Sequence, residues 1–262
     1  MILTDTHAHL YLDQFNPDRH NVVRNADQNG IRFIFLPNID KDSIVPMMEL
    51  ARDFPGRCFP MIGLHPTSVR EDYLQHLEAV KEWLEKESFC AIGEMGIDLY
   101  WDKTYFEEQK EAFRIQASLA LKYDLPLVIH SRNSFGEIFE LLEEVRQPEL
   151  RGVFHCFTGD LQQAEHITGM GFMLGIGGVI TYKNSGLADV VAKIPLERLL
   201  LETDAPFLAP VPYRGIRNES SYIMEIASRL AEIKGLPLEE IANQTTKNAL
   251  DFFNIDGQHL NN

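Results

Sequence analysis

Ile31-Arg32-Phe33-Ile34-Phe35-Leu36 is a nearly continuous apolar run, which is typical of a β-strand that is buried on both faces. The segments on either side of it predict helices. Residues 19–29 mix polar and apolar side chains and end at Gly30, and residues 43–54 form a second such segment that ends at Pro55-Gly56. A buried strand between two helices is the repeating unit of a parallel α/β fold.

The same alternation of short apolar runs and longer amphipathic segments continues along the chain. Strands are predicted before His7 and at residues 31–36, 58–64, 89–93, 127–129, 152–154, 172–176 and 199–201. Helices are predicted at residues 19–29, 43–54, 73–86, 104–123, 138–145, 161–170, 187–194, 223–234 and 239–253. Two of these helices would begin at capping boxes, one from Thr104 to Glu107 and one from Ser134 to Glu137.

Eight strands that alternate with helices favour a closed (β/α)₈ barrel of the TIM type over an open, doubly wound sheet. No Gly-x-Gly-x-x-Gly follows the first strand, so the usual indication of the open sheet is missing from the sequence. No linker or repeat divides the chain. We therefore predict a single domain over residues 1–262, in which residues 256–262 form a frayed tail.

The composition of the chain restricts its compartment and its ligands. A net charge of −15 argues against the wrapping of a nucleic acid duplex by Lys and Arg, although a polyanion could still be held locally. No signal peptide or membrane span is visible, and the widely spaced Cys58, Cys90 and Cys156 suit a reducing compartment. We therefore expect a cytoplasmic protein with no membrane partner and no obligate protein partner.

His7 and His9 are two residues apart at the end of the first strand, where this spacing sends both imidazoles to one face. Taken alone, this pair favours a metal site only slightly over two histidines that simply face solvent. Further histidines and acidic residues, however, follow the ends of later strands. They are His65, Glu94, His130, His155 and Asp204. Since active sites of (β/α)₈ barrels lie at the carboxyl ends of the strands, the set predicts a metal site there.

The ligand types are imidazole and carboxylate without thiolate, which suits zinc, manganese, magnesium, nickel or iron. Even without His65, four histidines and two carboxylates exceed what one tetrahedral ion needs. The predicted cofactor is therefore a pair of divalent ions with a bridging carboxylate, which suits in-line displacement at phosphorus by an activated water. His20, His76 and His259 fall in helices or in the tail and are interpreted as solvated surface residues.

Six sequence motifs carry a resemblance to a known family. They are Asp5-Thr6-His7-Ala8-His9, Gly63-Leu64-His65-Pro66, Ala91-Ile92-Gly93-Glu94-Met95-Gly96-Ile97-Asp98, Ile129-His130-Ser131-Arg132, His155-Cys156-Phe157-Thr158-Gly159 and Leu201-Glu202-Thr203-Asp204-Ala205-Pro206. In this order they resemble the TatD family of metal-dependent deoxyribonucleases, within the amidohydrolase-type barrels. Arg214-Gly215 and Asn218-Glu219 resemble the family's loop after the eighth strand, and the resemblance covers essentially the whole chain.

The resemblance implies which residues bind metal. The implied ligands are His7, His9, Glu94, His130, His155 and Asp204. The two N-terminal histidines would share one ion with Asp204, the other two histidines would bind the second ion, and Glu94 would bridge both. Asp204 would also accept the proton of the attacking water, and with Glu94 and His65 it makes up the predicted catalytic set.

The substrate residues are predicted with open alternatives. His65 would face the substrate phosphate or an outer metal ligand, unless Pro66 simply fixes it in a turn. Arg132 and Arg214 would hold phosphate oxygens, or would pair with surface carboxylates in this acidic chain. Glu202, two residues before Asp204, should point to the same side and either support a ligand or contact substrate.

Two neighbouring residues are assigned lesser roles. Asp98 is expected to support loops or ligands, unless it is only a turn residue. Cys156, next to His155, should point the opposite way into the layer between strands and helices as an inert buried thiol.

Three positions depart from the family pattern. Asn133 stands where an acidic residue is common, Ile216 replaces a cation, and Ser220 replaces a proline. These departures affect the expected substrate preference and leave the metal site unchanged.

The leading functional hypothesis is a two-metal phosphodiesterase that cleaves DNA, in the manner of a 3'-5' exonuclease acting on single strands or ends, or that acts on a nucleotide. The alternative is an amidohydrolase-type hydrolase of a small-molecule amide or ester, since the same barrel and metals serve that chemistry. A third hypothesis is a metal-binding barrel that recognises a partner without catalysis.

Overall fold

The computed structural model describes residues 1–255, so the predicted tail at residues 256–262 lies outside the described part of the chain. Within that part, eight β-strands alternate with nine α-helices. The strands are β1 (Leu3–Asp5), β2 (Ile31–Pro37), β3 (Cys58–Met61), β4 (Ile92–Asp98), β5 (Leu127–Arg132), β6 (Gly152–Phe154), β7 (Met173–Ile176) and β8 (Leu199–Leu201). The helices are α1 (Arg19–Gln28), α2 (Lys41–Asp53), α3 (Tyr73–Leu84), α4 (Phe106–Tyr123), α5 (Phe135–Glu144), α6 (Leu161–Gly169), α7 (Leu187–Val191), α8 (Ile223–Lys234) and α9 (Leu238–Phe252).

The strands close into a parallel barrel. β1, β2 and β3 form one parallel sheet, and β4 to β8 form another in chain order. Parallel bridges join the two sheets at both seams, between Ala8 and Ala205 and between Ile62 and Ile92. At the second seam the backbone N–H of Gly93 also donates to the carbonyl of Ile62, at 2.8 Å. The predicted (β/α)₈ barrel is confirmed.

Successive residues of β2 divide between the two sides of the barrel wall. Phe33 and Phe35 pack inside the barrel with residues from the amino-terminal halves of the other strands. Ile34 and Leu36 belong to the cluster between the strands and the surrounding helices. Phe253, just after α9, reaches under the barrel, where its ring centroid is 4.2 Å from that of Phe35. The amino-terminal half of the barrel is therefore filled with apolar side chains.

The fourth strand differs from its predicted bounds of 89–93, because β4 runs on to Asp98 and contains Glu94. The glycines in this stretch allow β4 to lie unusually close to β5. A Cβ atom at Gly93 would lie 2.6 Å from Cβ of Val128, and one at Gly96 would lie 2.0 Å from the carbonyl oxygen of His130. A pattern of glycines and acids is typical of a loop, which explains the error.

Both predicted capping boxes are wrong. α4 begins two residues after Thr104, and the hydroxyl of Ser134 donates to the carbonyl of Ile97 and does not cap α5. Capping boxes occur instead at α2, from Asp40 to Ser43, and at α6, from Asp160 to Gln163. Ser134 is buried under β4, and its hydroxyl bonds to that strand instead of capping the helix.

The observed box at α6 generates a stability prediction. Asp160→Ala removes the side chain that accepts the N–H of Gln163, so the free energy of unfolding in urea should fall by about 1 kcal/mol. Thr104→Ala is the matched control at the box that does not form, and it should change stability by less than about 0.5 kcal/mol. Equal losses in the two variants would contradict the cap assignment.

Candidate metal centre

The candidate metal centre lies directly above the apolar layer of the barrel interior. Val128 and Val153 belong to that layer and pair in register on β5 and β6. His130 and His155 lie two residues further along the chain and therefore project to the same side, near the carboxyl ends of the strands. The barrel thus changes from an apolar lower half to a polar upper half along the same strands.

His7 and His9 follow β1 on the same face. The residue between them, Ala8, faces away and forms the bridge that closes the barrel. The Nε2 atoms of the two rings are 3.2 Å apart, and both side chains are buried. Their spacing in the sequence therefore produces the predicted convergence.

Glu94 lies between two groups of histidines. Its Oε2 atom is 3.1 Å from Nε2 of His7 and 3.4 Å from Nε2 of His9. Its Oε1 atom is 2.8 Å from Nε2 of His155 and 2.9 Å from Nδ1 of His130. Each carboxylate oxygen thus faces a different group, which is the arrangement that a bridging ligand requires.

Asp204 joins the first group. Its Oδ1 atom is 3.8 Å from Nε2 of His7 and 3.6 Å from Nε2 of His9. The backbone at Asp204 has a φ of 57°, in the left-handed region, and its N–H donates to the carbonyl of His7 at 2.8 Å. This bond holds the turn after β8 against the end of β1.

His65, which was predicted to face the substrate phosphate or an outer metal ligand, lies within the cluster of candidate ligands. Its Nε2 atom is 3.1 Å from Oε1 of Glu94 and 3.3 Å from Nδ1 of His130. Its Nδ1 atom is 2.7 Å from the hydroxyl of Thr67, in the turn that Pro66 begins. His65 is therefore fixed by the turn at Pro66 and also lies beside Glu94 in the candidate centre.

Three sets of side chains offer ligand atoms close enough to hold a metal ion. They are His7, His9 and Glu94; His7, His155 and Asp204; and His65, Glu94 and His130. The Nδ1 atom of His7 is buried without a hydrogen-bond partner, and its ring stacks on that of His155 at 3.9 Å between centroids. Stacked imidazoles cannot both be charged at low cost, and five imidazoles around one carboxylate form a donor set that fits divalent metal ions.

The charges within the centre are tightly coupled. Burial alone would raise the pKa of Glu94, but the nearby rings of His155, His65 and His7 lower that pKa well below its usual range. Burial alone would lower the pKa of His155, but Glu94 raises it well above its usual range. For His7, burial and the neighbouring His155 ring lower the pKa. The imidazoles around Glu94 therefore favour its anionic form, which is the form in which a carboxylate binds metal.

Asp98 orients one of the candidate ligands. Its Oδ2 atom is 2.9 Å from Nε2 of His130, which directs the Nδ1 atom of that ring towards Glu94. Its Oδ1 atom accepts the backbone N–H groups of Tyr100 and Trp101, at 2.9 and 3.1 Å. The expectation that Asp98 supports both a ligand and a loop agrees with these contacts.

Glu202 lies behind the centre, outside the cavity lining. It accepts the backbone N–H of Cys156, and its Oε1 atom is 3.5 Å from Nδ1 of His155. Gly175 leaves the space for this carboxylate, since a Cβ atom there would lie 2.2 Å from its Oε2 atom. The contacts of Glu202 are therefore those of a supporting residue, and direct contact with a substrate is not indicated.

Sequence reasoning missed two supporting residues. The buried carboxylate of Asp5 accepts the N–H and the hydroxyl of Thr203, at 2.9 and 2.6 Å, and so ties β1 to the residue before Asp204. The hydroxyl of Tyr11 donates to the carbonyl of Pro37 and lies 3.0 Å from Nδ1 of a candidate ligand, His9. An acid within an apolar strand was the available signal for Asp5, whereas nothing in the sequence singles out Tyr11.

The two predicted arginines are placed differently. Arg132 lines the cavity above the centre, and its guanidinium lies 4.2 Å from the ring centroid of Tyr100. Arg214 is absent from the described lining of that cavity and lies over the ring of Tyr182, at 4.3 Å. Neither arginine makes a salt bridge within the described residues. The structure brings Arg132 to the site and leaves Arg214 outside the cavity lining.

Two further predictions are wrong, and one lies outside the described chain. Cys156 lines the cavity, because a φ of 46° turns the chain after β6 and ends the alternation assumed for it. His76 is buried and accepts the N–H of Lys41 at 3.3 Å. His259 lies outside the described residues.

A closed parallel barrel with a histidine–carboxylate centre at its carboxyl ends defines the class of metal-dependent barrel hydrolases. The sequence profile described as TatD related DNase matches residues 4–254. The chain belongs to the TatD family and is a metal-dependent hydrolase of that family.

Relatives cover the chain almost completely. A Bacillus subtilis (strain 168) protein named uncharacterized metal-dependent hydrolase YabD is 39% identical over 256 residues, which are 97% of this chain and 100% of that protein. A Pantoea vagans protein named 3'-5' ssDNA/RNA exonuclease TatD is 32% identical over 258 residues, 96% of this chain and 99% of its own. The crystal structure of YjjV, a TatD homologue from Escherichia coli K12, matches with a TM-score of 0.91 at 33% identity, covering 97% of this chain and 98% of that chain.

Among the described residues, no helix combines the length and the apolar character needed to cross a membrane.

The contacts of Asp98 generate a metal-binding prediction. Asp98→Asn keeps the shape of the side chain but removes the charge beside Nε2 of His130, so metal affinity should fall by about 10- to 100-fold. Isothermal titration with Mn²⁺ or Zn²⁺ measures the change. Asp102→Asn, on the same loop but outside the cavity lining, accepts the N–H of Thr104 and is the matched control, which should bind metal like the parent protein. Equal affinities in both variants would show that Asp98 does not orient the ligand.

Proposed function

We propose that the protein is a two-metal phosphodiesterase that shortens single-stranded DNA from its 3' end. The observation that carries this proposal is the division of the Glu94 carboxylate, with one oxygen facing His7 and His9 and the other facing His130 and His155. A carboxylate shared in this way would suit a pair of divalent ions, which would supply the charge stabilisation and the activated water that displacement at phosphorus needs.

The proposed roles of the ligands follow from their grouping. His7, His9 and Asp204 would hold one ion, and His130 and His155 would hold the other, with one oxygen of Glu94 facing each group. His65 would serve as a further ligand or as a phosphate contact. Bound divalent ions would lower the pKa of a coordinated water and neutralise charge on the phosphate oxygens.

Asp204 is the residue that we assign to receive the proton of the attacking water. Burial alone would raise its pKa, but the nearby imidazoles of His9, His155 and His7 lower that pKa below its usual range. It is therefore a carboxylate at neutral pH, and its side chain retains some exposure to the cavity. An ionised carboxylate that reaches the cavity can accept a proton from a water molecule there.

The cavity and the charge of the chain support a small or terminal substrate. The cavity encloses about 680 Å³, a size suited to a few nucleotide units at most, and Arg132 offers a cation at its wall. A net charge of −15 disfavours the broad grip that duplex binding relies on. The name of the Pantoea vagans relative, which is that of a single-strand exonuclease, supports the same substrate class.

A cytoplasmic location is also part of the proposal. The three cysteines are free thiols, and burial raises the pKa of Cys58 to about 12. Free thiols in these positions fit the reducing conditions of a cytoplasm.

A nuclease assay tests the proposal. Pure protein is incubated with a single-stranded oligonucleotide labelled at its 5' end and with Mg²⁺, Mn²⁺ or Zn²⁺. Stepwise shortening from the 3' end is expected, and Glu94→Gln should lower the rate by at least about a thousandfold, because both ions lose their shared ligand. Glu85→Gln, at the exposed end of α3, is the matched control.

The same assay separates the competing functions. Hydrolysis of amides, lactones or aminoacyl esters by the same protein, with no cleavage of any phosphodiester, would replace the nuclease by a small-molecule hydrolase. Full metal occupancy with no hydrolysis of either kind would favour a binding protein. Either result contradicts the proposal.

The grouping of the ligands generates a second prediction, on metal content. Replacement of both His7 and His9 by Asn should reduce bound metal from two ions to one, since His130 and His155 keep their contacts with the other oxygen of Glu94. Elemental analysis after equilibration with limited Mn²⁺ or Zn²⁺ gives the ratio. The exposed pair His20 and Asp53, changed to Asn in a separate protein, controls for general damage. Loss of both ions, or of neither, would refute the division.

A further inference from the structure

Two exposed aromatic side chains line the cavity without contributing to the metal centre. Trp101 has 68% of its surface exposed and Phe207 has 45%, yet both lie in the lining of the cavity above the candidate ligands. Burial of aromatic rings is strongly favourable, so large rings held in the open beside a site are poorly explained by folding alone.

The two rings lie on opposite sides of the mouth. Trp101 follows β4 and Phe207 follows β8, and strands four positions apart in an eight-stranded barrel face each other across its axis. Each ring is therefore carried by a different loop on the face that holds the metal centre.

Both loops are tied to residues of the centre. The N–H of Trp101 donates to Oδ1 of Asp98, whose other oxygen contacts His130. The N–H of Phe207 donates to the carbonyl oxygen of Asp204, at 2.8 Å. The backbone that carries each ring is thus fixed relative to the reacting centre, although the rings themselves are exposed.

A cation is fixed beside the first ring. The guanidinium carbon of Arg132 is 4.2 Å from the ring centroid of Tyr100 and 5.5 Å from that of Trp101. Stacking of this kind leaves the edge of a guanidinium free to donate to phosphate oxygens. An aromatic face and a phosphate-binding cation therefore occur side by side at the cavity wall.

We propose that Trp101 and Phe207 are stacking surfaces for unpaired bases at the end of a nucleic acid strand, with Arg132 on the adjoining phosphate. This inference rests on the proposed function and names what the site recognises: a base whose face is free. A ring stacks on any base, so the preference would be for single strands and not for a sequence. Paired and stacked bases inside a duplex do not present such faces.

Binding can be followed without catalysis, because the chain has two tryptophans, Trp83 and Trp101. In the Trp83→Phe protein, Trp101 is the sole tryptophan reporter. A phosphorothioate-linked oligothymidylate, which resists hydrolysis, should quench its fluorescence in the presence of Mg²⁺, whereas an abasic oligomer of equal length should not. Absence of quenching by the thymidylate up to millimolar concentration, or equal quenching by both oligomers, would overturn the proposal.

Kinetics give the second readout. Trp101→Ala should raise KM for oligothymidylate by about 5- to 100-fold with kcat nearly unchanged, the loss expected for one stacked base. KM for an oligomer with abasic residues at its 3' end should not change, and Trp101→Phe should restore most of the affinity. Phe207→Ala should act in the same way, and Trp83→Phe is the matched control.

The outcomes separate this inference from the proposed function. If Trp101→Ala raises KM equally for the oligothymidylate and for the oligomer with abasic residues, Trp101 supports the loop and does not contact bases. The inference then fails while the nuclease proposal stands. If the parent protein cleaves no phosphodiester, the nuclease proposal fails, and the quenching experiment still decides whether unpaired bases bind here.

Discussion

The buried carboxylate of Glu94 has to be neutralised by the imidazoles around it, and the upper half of the barrel is arranged for that purpose. An isolated charge in a protein interior is costly, whereas a charge with several close hydrogen-bonding partners can be kept there. The partners come from β1, β5 and β6 and from the turn after β3, so they meet only when the barrel is closed. The site therefore exists only in the closed barrel.

The lower half of the barrel makes this arrangement possible. Phe33, Phe35 and the ring of Phe253 fill the interior below the centre, so that the polar cluster rests on a rigid apolar layer. The two glycines of β4 let that strand approach β5 and bring Glu94 within reach of His130. Packing at the level of single Cβ atoms thus determines the distances within the site.

A second set of residues holds the candidate ligands in place. Asp98 contacts His130, Glu202 lies behind His155, and Asp5 holds Thr203 beside Asp204. The turn at Asp204 adopts a left-handed backbone conformation, which is uncommon outside glycine and tends to occur at functional sites. Because Asp98 also fixes the loop of Trp101, the candidate metal centre and the exposed rim of the cavity share one support.

The sequence by itself determined the order of strands and helices, the barrel class and the positions of the ligand-type residues at strand ends. These features depend on local periodicity: Phe33 and Ile34 alternate between two sides of a wall, and His7 and His9 share a face, whatever the rest of the chain does. The tertiary structure alone decided how far β4 extends, that Cys156 faces the cavity, that Ser134 does not cap α5, and that Glu202 lies behind His155. It also decided which oxygen of Glu94 faces which histidine, and that Trp101 lies across the mouth from Phe207. Those outcomes depend on register between strands far apart in the chain and on single backbone angles after the strands end, neither of which leaves a periodic trace in the sequence.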